Sequence, residues 1–223
     1  MPAHIGGRTL KDKVKYFLDD LINRYPSLKG CEGDIEKAFN LMVNIFESGN
    51  KMLVCGNGGS AADSEHLVGE LIKSFTKRRE LLPGEKAKFD QFGEDGKYIA
   101  SKLQGALPAI SISFLTAFGT AYINRFDPDL VFAQQVYGLG KEKDLLFVFT
   151  ASGNSKNIFN AVVTAKAKGM HVIALTGETS GKVAKYCDVI VQMPAFLSSI
   201  VQEYYLPVYH TFAYMLEEHF FEK

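Results

Sequence analysis

The chain is organised around a short apolar segment that leads through a glycine-rich turn into a helix. Met52 to Cys55 are apolar, and Gly56-Asn57-Gly58-Gly59-Ser60 follow them. Glycine allows backbone angles and close approaches that a Cβ would block, so this pattern predicts a buried strand, a tight turn and a helix. We expect Ser60 to cap that helix, with Asp63 completing a capping-box-like pattern. A strand, turn and helix in this order favour an α/β fold.

The turn and the helix each suggest a chemical role. Unpaired backbone N–H groups at the start of a helix bind anions, which makes the turn a candidate phosphate site. His66 and Glu70 are four residues apart and therefore lie on one face of the helix. The glycines match neither the P-loop nor the dinucleotide-binding spacing. On the residues alone, a phosphate site and a simple tight turn remain equally open, and Glu70 is typical of a solvated helix charge.

Strands and helices alternate along the rest of the chain. Apolar segments predict five strands, at Met52 to Cys55, Leu107 to Ile112, Asp144 to Thr150, Met170 to Thr176 and Val189 to Met193. Helical periodicity predicts two helices within residues 10–48, before the first strand, and a long helix from Ser198 to Phe221. The alternation predicts a single α/β domain over residues 1–223, with a doubly wound five-stranded parallel sheet flanked by helices.

Residues 76–105 interrupt this alternation. The segment is polar and contains several glycines. It predicts an insertion between the helix that follows the first strand and the second strand. Connections of this length are usually functional or mobile, so a lid near the site is one interpretation. A solvated surface excursion is the more ordinary one.

Composition excludes several classes of protein. The 25 basic and 25 acidic residues balance, which argues against a non-specific nucleic-acid binder. No apolar run approaches the roughly 20 residues of a membrane helix, and Met1 to Lys11 contain no apolar signal core. The three cysteines, Cys31, Cys55 and Cys187, are scattered, which predicts buried free thiols and a cytoplasmic location.

A second turn has the same position and a similar chemistry. Thr150-Ala151-Ser152-Gly153-Asn154-Ser155 lies between a predicted strand and a predicted helix. Its hydroxyls and backbone donors suit a phosphomonoester without a lysine. Ser155 taken alone is more typical of a helix N-cap. Two such turns at the carboxyl edge of a parallel sheet favour a ligand, because ligands of doubly wound sheets bind at that edge.

Taken together, three motifs resemble the sugar isomerase (SIS) domain family. They are Cys55 to Asp63 with His66 and Glu70, the turn Ser152-Gly153-Asn154-Ser155, and Gln202-Glu203 with His210. Within that family the motifs are most similar to phosphoheptose isomerases. The resemblance runs from about Ile35 to the C-terminus and leaves out residues 76–105.

The resemblance implies an SIS-type αβα sandwich and a phosphosugar aldose–ketose isomerase. The implied reaction converts sedoheptulose 7-phosphate to a heptose 7-phosphate through an enediolate. Family members are typically homotetramers with sites at subunit interfaces. Carried over to this chain, the residues that bind the phosphate and the sugar are Asn57, Gly58, Gly59, Ser60, Thr150, Ser152, Ser155 and Gln202.

The resemblance also implies a divalent metal, usually zinc, with His66, Glu70, Gln202 and His210 as ligands. We hypothesise that Glu70 is the catalytic base and that His210 is the opposing acid or base. Gln202 and His210 are about 12 Å apart along a helix, so a shared ion needs long side chains and a bend at Pro207. On the residues alone, His210 is more typical of a core position, because aromatic residues surround it.

The chain departs from the family at several sugar-contacting positions. Ser74-Phe75 stand where the family has Arg-Tyr, Arg125 replaces an acid after Asn124, and Ser199 also replaces an acid. These departures put the choice of sugar in doubt more than the isomerase chemistry. The alternative is a non-catalytic SIS protein, either a sugar-phosphate sensor or an adaptor that resembles the DnaA initiator-associating protein.

Overall fold

A computed structural model describes residues 10–113 and 115–222. Its sheet has five strands, β1 Met52–Gly56, β2 Ala109–Ser111, β3 Leu145–Phe149, β4 His171–Thr176 and β5 Val189–Gln192. The strand order is β2-β1-β3-β4-β5, and every neighbouring pair is parallel. The five predicted strands and the parallel sheet are confirmed. None of the helices in the described part of the chain is long and apolar enough to cross a membrane.

Nine α-helices surround this sheet in the described residues. They are α1 Leu10–Arg24, α2 Glu32–Glu47, α3 Gly59–Ile72, α4 Pro83–Ala87, α5 Gly93–Lys102, α6 Thr116–Arg125, α7 Val131–Leu139, α8 Lys156–Ala167 and α9 Ser198–Phe221. The last of them has the bounds that helical periodicity predicts, and the first two lie within the predicted residues 10–48. The long helix α9 continues through Pro207 without a break.

The sheet is covered on both faces, as a doubly wound fold requires. Side chains of successive strand residues point to opposite faces. Val54 and Phe147 pack in one core with α1, α2, α3 and α9. Leu53 and Leu146, the preceding residues, pack in the other core with α7 and α8. The strands β1 and β3 are buried along their whole length, which explains why their sequences are continuously apolar.

The start of α3 differs from the sequence-based prediction. Gly58, with a φ of +57°, is the residue before the helix, and no side chain caps its first turn. Ser60 therefore lies inside the helix, and the predicted capping box with Asp63 is wrong. The reason is the left-handed backbone angle of Gly58, which lets the helix begin earlier than a serine cap would.

The insertion, residues 76–105, lies at the amino edge of the sheet. The end of α3 is close to the start of β2, where the Leu107 N–H donates to the Leu71 carbonyl. The two glycine-containing turns follow the carboxyl ends of β1 and β3, at the opposite edge. Within one chain the insertion is therefore far from those turns, and the expected position beside them is wrong.

The cysteines are as predicted. All three are free, with Cys31 and Cys55 buried and Cys187 partly buried. Burial is the main cause that raises the pKa of each thiol above its ordinary value.

Candidate functional site

The two predicted phosphate turns meet because their strands are neighbours. Gly56 at the end of β1 pairs with Phe149 at the end of β3. The turns that follow enclose a cavity of about 320 Å³, which we call the turn cavity. Its lining includes all eight residues predicted to bind the phosphate and the sugar: Asn57, Gly58, Gly59, Ser60, Thr150, Ser152, Ser155 and Gln202.

Two of the hydroxyl groups that line the turn cavity do not serve the fold in the described part of the chain, whereas those of Ser60 and Ser152 accept hydrogen bonds. The Thr150 hydroxyl is buried and has no hydrogen-bond partner among the described residues. Ser155 occupies the N-cap position of α8, but its side chain makes no capping hydrogen bond. A buried polar group without a partner is costly, and a bound ligand with acceptor oxygens removes that cost. The N-cap interpretation of Ser155 therefore does not account for its hydroxyl.

Glycine is required where the second turn folds back on itself. Gly153 has a φ of +64°, and a Cβ at this position would lie 1.9 Å from the Ser180 carbonyl oxygen. The close approach of residues 152–153 to residues 180–181 fixes the shape of this turn. Three helices, α3, α8 and α9, begin beside the cavity, and their N-termini favour an anion.

Gln202 reaches the cavity from the opposite side, on α9. Its Nε2 donates to the Ser60 hydroxyl at 3.3 Å. The side chain fits because residue 59 is a glycine, whose Cβ would lie 2.8 Å from the Gln202 Oε1. All the side chains that line the cavity are uncharged, so binding there relies on neutral donors and helix N-termini.

A second group of predicted residues lies farther along α3, where it packs against α9. His66 Nε2 is 3.2 Å from Glu70 Oε1, and the rings of His66 and His210 have centroids 5.1 Å apart. We call His66, Glu70 and His210 the imidazole cluster. The Glu70 side chain is only 8% exposed, and its second oxygen lies 3.2 Å from the Lys73 Nζ.

His210 has an unusual environment for a core histidine. Its Nε2 is buried and has no hydrogen-bond partner in the part of the chain that the structure describes. Burial, with a further contribution from His66, lowers the pKa of His210. The imidazole is therefore neutral at physiological pH, which is the form that accepts a proton or binds a metal. The ring packs against Phe75, as expected for a core residue, but its nitrogen is left available.

The four predicted metal ligands fall into two groups. His66, Glu70 and His210 lie together, whereas Gln202 lies over the first turn. Among residues 10–113 and 115–222, no group of three or more His, Cys, Asp or Glu side chains is already arranged to hold a metal ion. Metal ligation by the four residues therefore stays a prediction.

Sequence reasoning missed several residues at these two places. Ser198, at the start of α9, also lines the turn cavity. Asn57 and Asn157 exchange two side-chain hydrogen bonds of 3.0 and 2.9 Å and so tie the first turn to α8. The Tyr209 hydroxyl lies 2.9 Å from the His66 Nδ1, although the two residues are 143 apart in sequence. No local pattern predicts a contact between residues so far apart.

A comparison with known protein families identifies the family of this chain. The family model described as SIS domain matches residues 17–98 and 106–177. The match begins earlier than the motifs indicated and includes most of residues 76–105. The chain belongs to the SIS domain family.

Phosphoheptose isomerases are among the relatives of the chain within that family. The chain is 34% identical to the phosphoheptose isomerase of Glaesserella parasuis over 206 residues, which cover 92% of each protein. It also matches the structure of the phosphoheptose isomerase of Neisseria gonorrhoeae, with 30% identity, a TM-score of 0.68 and coverage of 92% of this chain and 97% of the other. The structure from Francisella tularensis gives 28% identity, a TM-score of 0.68, and coverage of 94% and 100%.

Proposed function

We propose that this protein is a phosphosugar aldose–ketose isomerase that converts sedoheptulose 7-phosphate to a heptose 7-phosphate. One observation carries the proposal. A cavity lined by hydroxyls and helix N-termini and a cluster of two imidazoles and a carboxylate are joined by a single helix, α3. The named relatives support the same reaction class.

The spacing along α3 favours a long substrate. Ser60 in the turn cavity and His66 in the imidazole cluster are six residues apart, which corresponds to about 9 Å of helix. A phosphate held at the start of α3 would place the opposite end of an extended sugar chain near the cluster. Short phosphosugars would reach it less well.

Each group of residues then has its own role in the proposed reaction. Hydroxyls and N–H groups of the two turns hold the phosphate and so fix the sugar in position. Glu70 takes a proton from one of the two carbons that exchange the carbonyl group and returns it to the other carbon. The neutral imidazole of His210 passes a proton between the two oxygens. Burial of Glu70 keeps bulk water away from the carboxylate during these transfers.

We also propose a divalent metal at the imidazole cluster. The unpartnered Nε2 of His210 lies beside His66, and imidazole with carboxylate is a donor set that suits zinc. His66, Glu70 and His210 would hold the ion, with Gln202 as the further ligand if its side chain leaves Ser60. When bound, the metal would polarise the substrate oxygens and stabilise negative charge on them.

The assembly and location belong to the same proposal. We place the protein in the cytoplasm as a homotetramer with its sites at subunit interfaces. The free cysteines suit a reducing compartment.

The alternative is a protein that binds a phosphosugar without converting it. The turn cavity would be enough for that role, since it contains the donors that a phosphate needs. The imidazole cluster favours the isomerase, because two imidazoles around a buried carboxylate have no use in holding a phosphate.

A substrate panel separates the two functions. The full-length protein, with and without added Zn²⁺, is incubated with sedoheptulose 7-phosphate and with shorter phosphoketoses, and product formation and ligand binding are both measured. We expect turnover of sedoheptulose 7-phosphate and weaker turnover of shorter sugars. Binding without turnover of any phosphosugar would favour the sensor or adaptor and contradict the isomerase.

A further inference from the structure

Asn157 lies in the first turn of α8, two residues after Ser155, and its side-chain amide makes three hydrogen bonds. Its Oδ1 accepts from the backbone N–H of Ile158 at 2.9 Å and from the Asn57 Nδ2 at 3.0 Å. Its Nδ2 donates to the Asn57 Oδ1 at 2.9 Å. The side chain of Asn157 therefore joins the start of α8 to the first glycine-containing turn, on which Asn57 lies.

The bond to Ile158 occupies the place of a helix N-cap. Ser155 is the N-cap residue of α8, and Ile158 is the third residue of that helix. The hydroxyl of an N-cap serine ordinarily accepts the N–H of the second or third helical residue. Here the Ile158 N–H donates to Asn157, and the Ser155 side chain makes no capping hydrogen bond. Asn157 thus takes the capping role, which explains why no capping bond occupies the Ser155 hydroxyl at the turn cavity.

The bond to Ile158 also fixes the orientation of two amides. A backbone N–H can only donate, so the Asn157 atom that faces it must be the oxygen. The Asn157 nitrogen then faces the Asn57 oxygen, and the Asn57 nitrogen faces the Asn157 oxygen. The Asn57 Nδ2 has a second hydrogen that this pair does not use. Because Asn57 is exposed and lines the turn cavity, that hydrogen can be donated to a phosphate oxygen.

We propose that Asn157 is a positioning residue that keeps two phosphate donors available, the Ser155 hydroxyl and the Asn57 Nδ2. It does so by accepting the Ile158 N–H in place of Ser155 and by holding the Asn57 amide with one N–H free. The exchange of caps follows from contacts within the chain. The effect on phosphate binding rests on the proposed function.

The exchange of caps is tested first, without a ligand, by thermal unfolding of the full-length protein. Ser155→Ala alone should leave the melting temperature unchanged, because the hydroxyl does not cap α8. In the Asn157→Ala background, where Ser155 becomes the cap, the same change should lower the melting temperature by roughly 2–4 °C. In Asn157→Asp, whose carboxylate still accepts the Ile158 N–H, Ser155→Ala should again have no effect. An equal effect of Ser155→Ala in all three backgrounds would overturn the proposal.

Phosphate binding is tested second, by calorimetry with sedoheptulose 7-phosphate and with inorganic phosphate. Asn157→Ala should weaken the binding of both ligands by roughly 10- to 100-fold, because the bonds that Ser155 and Asn57 donate to a charged phosphate are lost. The matched control is Asn160→Ala on the same helix, where the lost amide donates to the Asp129 carbonyl instead. Unchanged binding in Asn157→Ala, or an equal loss in both variants, would overturn the proposal.

Failure of the proposed function would give a different result. If Asn157→Ala binds sedoheptulose 7-phosphate more weakly, as expected, but the unmodified protein does not convert it, the isomerase is contradicted and the role of Asn157 stands. If the unmodified protein converts it, the loss in Asn157→Ala should appear mainly in KM, because the phosphate is remote from the reacting carbons. A loss confined to kcat would contradict the role of Asn157 and leave the isomerase standing.

Discussion

Asp63 carries a carboxylate that the fold partly buries. Burial raises its pKa to about 6 from the ordinary 3.8, so the folded chain holds this proton more tightly than the unfolded chain does. The resulting stabilisation is fully present below about pH 4 and is lost as the pH rises through 6. At neutral pH the ionised Asp63 carboxylate therefore lowers the stability of the fold.

Asp63→Asn should remove the loss of stability that the ionised Asp63 carboxylate causes. Asparagine does not titrate, so the variant should gain stability relative to the unmodified protein as the pH rises from 4 to 7. The difference should reach on the order of 2 kcal/mol at neutral pH. Urea denaturation of both metal-free proteins at several pH values measures it. A difference in unfolding free energy that does not change with pH would show that Asp63 has an ordinary pKa.

Two glycines of the first turn should respond differently to alanine. A Cβ on Gly56 would lie 2.4 Å from the Ser60 carbonyl oxygen, and the backbone there cannot move aside easily. Gly56→Ala should cost about 3 kcal/mol or more. A Cβ on Gly59 would meet the end of the Gln202 side chain, which can rotate. Gly59→Ala should change stability by less than about 1 kcal/mol and weaken phosphosugar binding. Thermal unfolding and calorimetric binding distinguish them, and equal losses of stability would refute the distinction.

At the scale of elements, a buried ion pair connects the insertion to both helices of the site. The Arg79 Nε donates to Glu217 on α9 at 2.8 Å, and its Nη1 and Nη2 donate to the carbonyls of Leu71 and Glu70 at 2.8 and 2.9 Å. Both side chains are essentially unexposed. Arg79 thus satisfies carbonyls at the end of α3 while it holds α3 to α9. The sequence places it in a basic run with an adjacent acid, which is typical of a solvated loop, so its burial could not be predicted.

Replacing Arg79 should therefore loosen the insertion and destabilise the chain. Arg79→Met leaves Glu217 buried without its cation, which should cost about 3–5 kcal/mol. Arg78→Met is the control, because the neighbouring arginine is exposed and pairs with Glu80 at the surface. Urea denaturation and the rate of proteolysis within residues 76–105 report the two effects. If both variants behave like the unmodified protein, the ion pair does not anchor the insertion.

At the scale of the whole molecule, local patterns were enough for the fold. Apolar runs and helical periodicity predicted the five strands and the long terminal helix, because each element forms its pattern from adjacent residues. The two phosphate turns could also be brought together in advance, since parallel strands end at one edge. The predicted capping box of α3 was wrong, because Gly58 adopts a left-handed backbone angle that the sequence pattern does not predict.

Contacts between distant segments were beyond sequence patterns. The orientation of α9 against α3 decides that Tyr209 meets His66 and that Gln202 meets Ser60. It follows from side-chain packing across more than 140 residues of intervening chain. The family resemblance identified His210 as a site residue, although its aromatic neighbours in the sequence favoured a core position. In the described part of the chain its Nε2 is buried without a hydrogen-bond partner.

Glu70→Gln tests the central claim, that the imidazole cluster performs chemistry on a sugar held by the turns. Glutamine keeps the shape of the side chain but cannot take a proton. Glu65→Gln, an exposed change on the same helix, is the control. With Zn²⁺ supplied to each protein, turnover and binding of sedoheptulose 7-phosphate are measured together. The account predicts that Glu70→Gln lowers turnover by at least about a hundredfold and still binds the sugar, while Glu65→Gln behaves normally. Unchanged turnover in Glu70→Gln would contradict it.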